Sequence, residues 1–135
     1  RWPGGNPETG YLNCDGSPTK SLILTQRREG MYHYWNLNFG KRSQEELFEL
    51  KGDADCVKNL AKSKPHAELK AALKEQLFAE LREQGDPRMF GKGDVFDNYP
   101  YSGESTDNFY RHYMGGEKVR AGWVRPTDFE KEKLD

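Results

Sequence analysis

The stretch that decides how this chain is read begins at Glu45-Glu46-Leu47-Phe48-Glu49-Leu50. It continues through Lys51-Gly52-Asp53-Ala54-Asp55 and Cys56-Val57-Lys58-Asn59-Leu60-Ala61, and ends at Gly85-Asp86-Pro87-Arg88. Residues 45–50 read as a short strand, with Phe48 and Leu50 on one side and Leu47 on the other. The acidic stretch at 53–55 reads as a solvated turn whose carboxylates favour the N-terminus of the next helical segment. From about Pro65 to Gln84, Leu69, Leu73, Leu77 and Leu81 recur every four residues, and Ala72 and Phe78 widen the stripe. That spacing predicts a long amphipathic helix over 65–84, stopped by Gly85 and Pro87. Its apolar face needs a partner, and the expected partner is a short sheet containing residues 45–50. Four buried leucines would each contribute about 1.5–3 kcal/mol before entropy is counted.

Outward from this stretch, residues 1–16 are rich in Gly, Pro and Asn, which is loop chemistry. A loop of that length in a compact domain is usually functional. Ser17-Pro18 predicts a helix start, with Ser as the cap and Pro at the first helical position. Arg27 and Arg28 suit the last turn of that helix and Gly30 its end. Met31, Trp35 and Phe39 are spaced for a short helix, while Tyr32 and Tyr34 also fit a strand; the spacing favours the helix. Residues 86–103 read as loop. Ser105 or Thr106 is the expected cap of a short helix carrying Phe109, Tyr110, Tyr113 and Met114, ended by Gly115-Gly116. The tail, 117–135, offers Val119, Trp123, Val124, Phe129 and Leu134 as anchors and is expected to lie along a surface.

Composition bounds the possibilities. The chain has 135 residues, enough for one domain, of which 34% are apolar and 32% charged. The mean hydropathy is −1.03, so a thin core is expected. Aromatic residues make up 13% of the chain, which argues against wholesale disorder. A piece that docks on a larger body fits both facts, and the start at Arg1-Trp2-Pro3 without Met fits a cut inside a longer protein. A net charge of −1 sets up no field for nucleic acid or anionic membrane. No apolar run approaches the roughly 20 residues of a membrane helix. The two cysteines, Cys14 and Cys56, leave pairing and free thiols both open.

A nucleophilic centre is not visible. His33, His66 and His112 share no spacing with either cysteine, and zinc-type Cys and His pairs are absent. Asp53-Ala54-Asp55 opens like a calcium loop, but Val57, Lys58 and Lys64 stand where ligands and the obligatory Gly belong. Gly91-Lys92-Gly93 lacks the spacing of a phosphate loop. The aromatics, with no basic stripe beside them, do not make a nucleic-acid surface. They read chiefly as packing residues.

The order of segments resembles the C-terminal subdomain of the sulfatases, in which a short acidic-apolar strand leads through an Asn-Leu-Ala segment into the last helix. Asn13-Cys14-Asp15-Gly16-Ser17-Pro18-Thr19-Lys20 is similar to the loop-to-helix segment of heparan N-sulfatase-like (sulfamidase-like) members. Asp86-Pro87-Arg88-Met89, Gly93-Asp94-Val95-Phe96-Asp97 and Tyr99-Pro100-Tyr101 are similar to the tails of bacterial members of that branch. One departure is Asp53-Ala54, where the family carries Asp-Pro. Another is the formylglycine motif Cys/Ser-x-Pro-x-Arg. Its nearest counterpart here, Ser63-Lys64-Pro65-His66-Ala67, lacks the Arg, and neither Cys14 nor Cys56 fits.

The resemblance implies an α+β fold class: a small antiparallel sheet packed against a long C-terminal helix with extended loops. This would be the C-terminal subdomain of an alkaline-phosphatase-like α/β sulfatase. Residues 1–135 would be that subdomain, incomplete at its N-terminal side. The parent would hydrolyse sulfate esters or sulfamates on a sulfated glycan, in the periplasm or outside the cell. Calcium and formylglycine would belong to an upstream catalytic domain, the expected partner, and no catalytic residue would lie in this chain. A rim loop for an anionic glycan suits cationic and hydrogen-bonding groups. That makes Asp15, Thr19 and Lys20 the candidate substrate contacts, although capping and turn formation explain the same residues. The alternative is a stand-alone glycan-binding or protein-interaction module without catalysis.

Overall fold

A computed structural model describes residues 2–100 and 108–134. Among them there are helices, 3-10 turns and irregular segments, and no strand. The chain divides into two compact units, Arg1–Arg42 with Gly103–Asp135, and Ser43–Ser102.

In the first unit, helix α1 (Pro18–Arg28) starts as its sequence predicts. The Ser17 hydroxyl accepts the N–H of Lys20 at 3.1 Å and Pro18 occupies the first turn. Helix α2 (His33–Asn38) follows. Trp35 and the adjoining Phe39 are buried, whereas Met31 stays exposed, so the apolar spacing holds for two of its three positions. Tyr11, Leu24, Trp35 and Phe39 form one core cluster. A second joins Phe109 of helix α4 (Phe109–Met114) to Ala121 and Val124. The tail therefore supplies core residues instead of lying along a surface, because the aromatic face of α4 has little else to cover it. The expected caps Ser105 and Thr106 lie outside the described residues.

A buried ion pair ties these pieces together. Lys20 is 2% exposed and Asp128 fully buried. The Lys20 ammonium donates to the carbonyls of Gly10 (2.8 Å) and Cys14 (2.6 Å), and its Nζ lies 3.1 Å from Asp128 Oδ2. Three N–H groups thus meet three acceptors, the condition under which a charge can be buried. Asp128 ends the 3-10 turn Pro126–Asp128, and its Oδ2 also accepts the Arg125 N–H at 3.0 Å. Gly10 has a φ of 75° and a Cβ there would lie 3.1 Å from the Phe129 ring, so the turn that presents its carbonyl needs glycine twice over.

The second unit corrects the α+β expectation. Residues 45–50 do not pair with a strand, and no antiparallel sheet exists among the described residues. The reason is local. The Leu47 N–H goes to the Asn59 side-chain oxygen (3.1 Å), and the Leu47 carbonyl accepts the Leu60 N–H (2.7 Å). Asn59 Nδ2 also donates to the Glu45 carbonyl (3.2 Å). One asparagine side chain thus takes the place of a neighbouring strand. The acidic turn is also self-contained: the Asp53 carboxylate accepts the N–H groups of Val57 (3.0 Å) and Lys58 (2.8 Å), and no helix follows at 56–61.

The long helix is present as α3 (Ala67–Glu83), preceded by the 3-10 turn Lys64–His66. With no sheet to cover it, its stripe is open, Leu69, Leu73 and Leu77 being 53%, 45% and 52% exposed. No described residue of this unit is buried. Its tie is electrostatic: Glu45 accepts from Lys70 (2.9 Å) and Lys74 (2.8 Å), and Lys70 also donates to the Ala61 carbonyl (2.9 Å). The hydrogen bonds from Lys74 and then Lys70 hold the Glu45 carboxyl down at about 2.

Two outcomes follow. Lys20→Met and Asp128→Asn should each cost about 3–5 kcal/mol in urea unfolding, because each leaves the other charge buried and alone. The double variant should cost less than the sum. For Glu45 the folded value lies below the ordinary glutamate value of 4.5. Its stabilising effect is therefore complete above that value and fades as pH falls toward about 2. A carboxyl-carbon NMR titration should give a midpoint near the lower value, rising toward the ordinary one in 1 M salt.

Candidate functional site

The loop Asn13–Lys20 does not present its three candidate residues together. Asp15 and Thr19 are exposed, while Lys20 is internal and its ammonium is fully engaged. The loop is fastened to the tail. The Gly16 N–H donates to the Trp123 carbonyl at 2.6 Å, and a Cβ at Gly16 would come within 2.8 Å of Arg125 Cγ, so only glycine lets the two segments approach. The Trp123 indole donates to the Leu12 carbonyl (2.7 Å), and Arg125 Nη1 donates to the Ser21 hydroxyl (3.1 Å). Asp15 flanks this junction. Lys20 serves to hold the loop in shape, and of the three candidates Asp15 and Thr19 are the exposed ones.

A second constellation lies at the other end of α1. Trp35 Nε1 donates to the Tyr11 hydroxyl at 2.9 Å, and that hydroxyl faces Glu130 Oε1 at 3.4 Å. Arg28 clasps the same carboxylate, with Nη2 3.1 Å from Oε1 and Nε 3.3 Å from Oε2; Nη2 also donates to the Thr127 carbonyl at 3.0 Å. Arg27 adds Nη1 at 3.4 Å from Oε2, and its guanidinium lies 5.1 Å over the Trp35 ring. Burial pushes the Tyr11 phenol well above its usual value. The Trp35 hydrogen bond opposes this and the nearby Glu130 charge adds to it. A cleft of about 770 Å³ opens beside the cluster, lined by Arg28, Tyr32, Thr127, Phe129, Lys131 and Leu134 among others.

In the linear sequence Arg27 and Arg28 read only as complements to the helix dipole. Glu130 sits in the alternating run Glu130-Lys131-Glu132-Lys133, which carries no signal that one member turns inward. The sole clue was the density of Tyr11, Trp35 and paired arginines, and nothing in a linear pattern joins positions about 100 residues apart.

Among the described residues no group of three or more His, Cys, Asp or Glu could hold a metal ion. No described helix is long and apolar enough to cross a membrane. Cys14 and Cys56 are free, half-buried thiols. Ser63 Oγ lies 2.8 Å from His66 Nδ1, but this pair sits at the start of a 3-10 turn, with no third group to orient it among the described residues. No family model, curated protein or solved structure matches the chain significantly.

Tyr11→Phe removes the acceptor for the buried Trp35 N–H and should cost about 1–3 kcal/mol in a denaturant melt. The pH dependence has a definite sign. The phenol is raised in the folded state above its ordinary value of 10.0. Its contribution is therefore whole below that pH and is lost as pH rises further. The alkaline loss of stability should be visibly smaller in Tyr11→Phe than in the unaltered chain.

Proposed function

We propose that this chain is the non-catalytic C-terminal portion of a sulfatase, close to the bacterial heparan N-sulfatase-like members, acting on a sulfated glycan. The observation that carries the reading is the order of the similar segments: Asn13–Lys20, the stretch Glu45–Arg88 with its Asp86–Met89 end, Gly93–Asp97 and Tyr99–Tyr101. Catalysis, with calcium and formylglycine, belongs on this reading to an upstream domain, and the protein works in the periplasm or outside the cell. The open leucine face of α3 supports it: a helix that buries none of its own residues suits a chain that packs on a further body. The same face supports a second reading, an interaction module that docks on a separate protein through α3.

The deciding experiment compares the isolated chain with the full-length parent. The sequence encoded upstream of Arg1 should carry a Cys/Ser-x-Pro-x-Arg motif, and only the full-length protein should release sulfate from a heparan-type oligosaccharide. An upstream sequence without the motif, together with an inactive parent, would sink the proposal. Leu73→Asp and Leu77→Asp should each cost the isolated chain only about 1 kcal/mol, chiefly in helix propensity, because both sites are about half exposed already. In the full-length enzyme the same changes should lower the melting temperature. An unchanged melt there would leave the separate-partner reading in possession of α3.

A further inference from the structure

The Glu130 carboxylate sits as a bound anion would. Its side chain is only 7% exposed and is held by two guanidinium groups and a phenol hydroxyl. Two cations facing one carboxylate leave the cluster with an excess of positive charge. Arg27 Nε is buried with no acceptor, so the carboxylate leaves one donor of the pair unfilled. A group with three terminal oxygens can engage more of these donors than a carboxylate with two.

The surroundings suit a ligand larger than an ion. Arg28, about a third exposed, opens onto the cleft of about 770 Å³, within the roughly 300–1,000 Å³ range of small-ligand pockets. Lys131 adds a cation to the lining, and Glu132 is the second acidic group there. Tyr32, half exposed, and Phe129 offer flat apolar surface of the kind on which sugar rings lie. The tail segment that carries Glu130 is anchored on either side of it by Asp128 and by the Leu134 contact with the first core cluster. Neither anchor uses the Glu130 side chain.

We propose that Arg27 and Arg28 form an oxyanion site for a sulfate group of a glycan, and that Glu130 fills it in the unliganded protein. The oxyanion site stands on the geometry, whereas the sugar that bears the sulfate rests on the sulfatase reading. Ligand and Glu130 compete for the same donors, so removing the Glu130 charge strengthens binding, the reverse of what a merely structural ion pair predicts.

The test is calorimetric titration of the folded chain with a sulfated heparin tetrasaccharide, its desulfated counterpart and sodium sulfate. Glu130→Gln should bind the sulfated tetrasaccharide about tenfold more tightly than the unaltered chain. Arg28→Ala should bind it about tenfold less tightly, and Arg28→Lys, which keeps the charge but loses the fork, should fall between. Equal or weaker binding by a cooperatively melting Glu130→Gln overturns the proposal. If Glu130→Gln does not fold, Arg28→Lys decides, and unchanged affinity there overturns it. Equal binding of the desulfated tetrasaccharide overturns the sulfate assignment. Sulfate ion bound in an Arg28-dependent way, with the tetrasaccharide no tighter, supports the oxyanion site and removes the glycan from it.

Discussion

The first unit depends on one buried ammonium. Lys20 leaves α1, reaches the carbonyls of two turns in the preceding loop, and meets Asp128 from the far end of the chain. Each partner alone would be an isolated charge in a low-dielectric interior, which proteins do not tolerate without compensation. Loop, helix and tail must therefore be in place at once. The small apolar clusters gain from this, since Tyr11, Leu24 and Trp35 on one side and Phe109, Ala121 and Val124 on the other are each too few to specify a fold alone. Asp128 Oδ1 remains buried without a hydrogen bond, a local cost that the pair's remaining contacts have to outweigh.

The same requirement positions the second constellation. With Asp128 anchored, residues 129–134 return along the C-terminal end of α1, and Glu130 arrives between Arg27 and Arg28. Tyr11 links the two layers: it belongs to the apolar cluster through its ring and to the Arg–Glu cluster through its hydroxyl. Structure and candidate binding chemistry therefore share residues here, and a substitution in one will be felt in the other.

The second unit follows different physics. It buries no described residue, and its conformation is held by polar groups acting locally: Asn59 on the 45–50 segment, Asp53 on the turn after it, Glu45 between two lysines of α3. The exposed leucines of α3 are the counterpart of that arrangement. Helices in proteins owe most of their stability to a packed amphipathic face, which is why its open stripe bears on the question of what else the chain meets.

Much of the local structure was legible in the sequence. Ser17-Pro18 announced α1, four leucines at four-residue spacing announced α3, and Gly85 with Pro87 ended it, because capping and helical periodicity are decided within a few residues. The strand-like pattern at 45–50 forms no strand, since a ladder needs a second segment's backbone throughout, and here the Asn59 side chain makes two of the bonds and the Leu60 backbone only one. Lys20 looked like an exposed cation on a rim loop, and Glu130 like one charge in a solvated run. Their burial depends on partners about 100 residues away, a distance over which no linear pattern carries information. The sequence by itself determined where this chain turns, caps and coils. Only the tertiary structure decided which charges go inside, because that choice depends on long-range partners being present together to replace water.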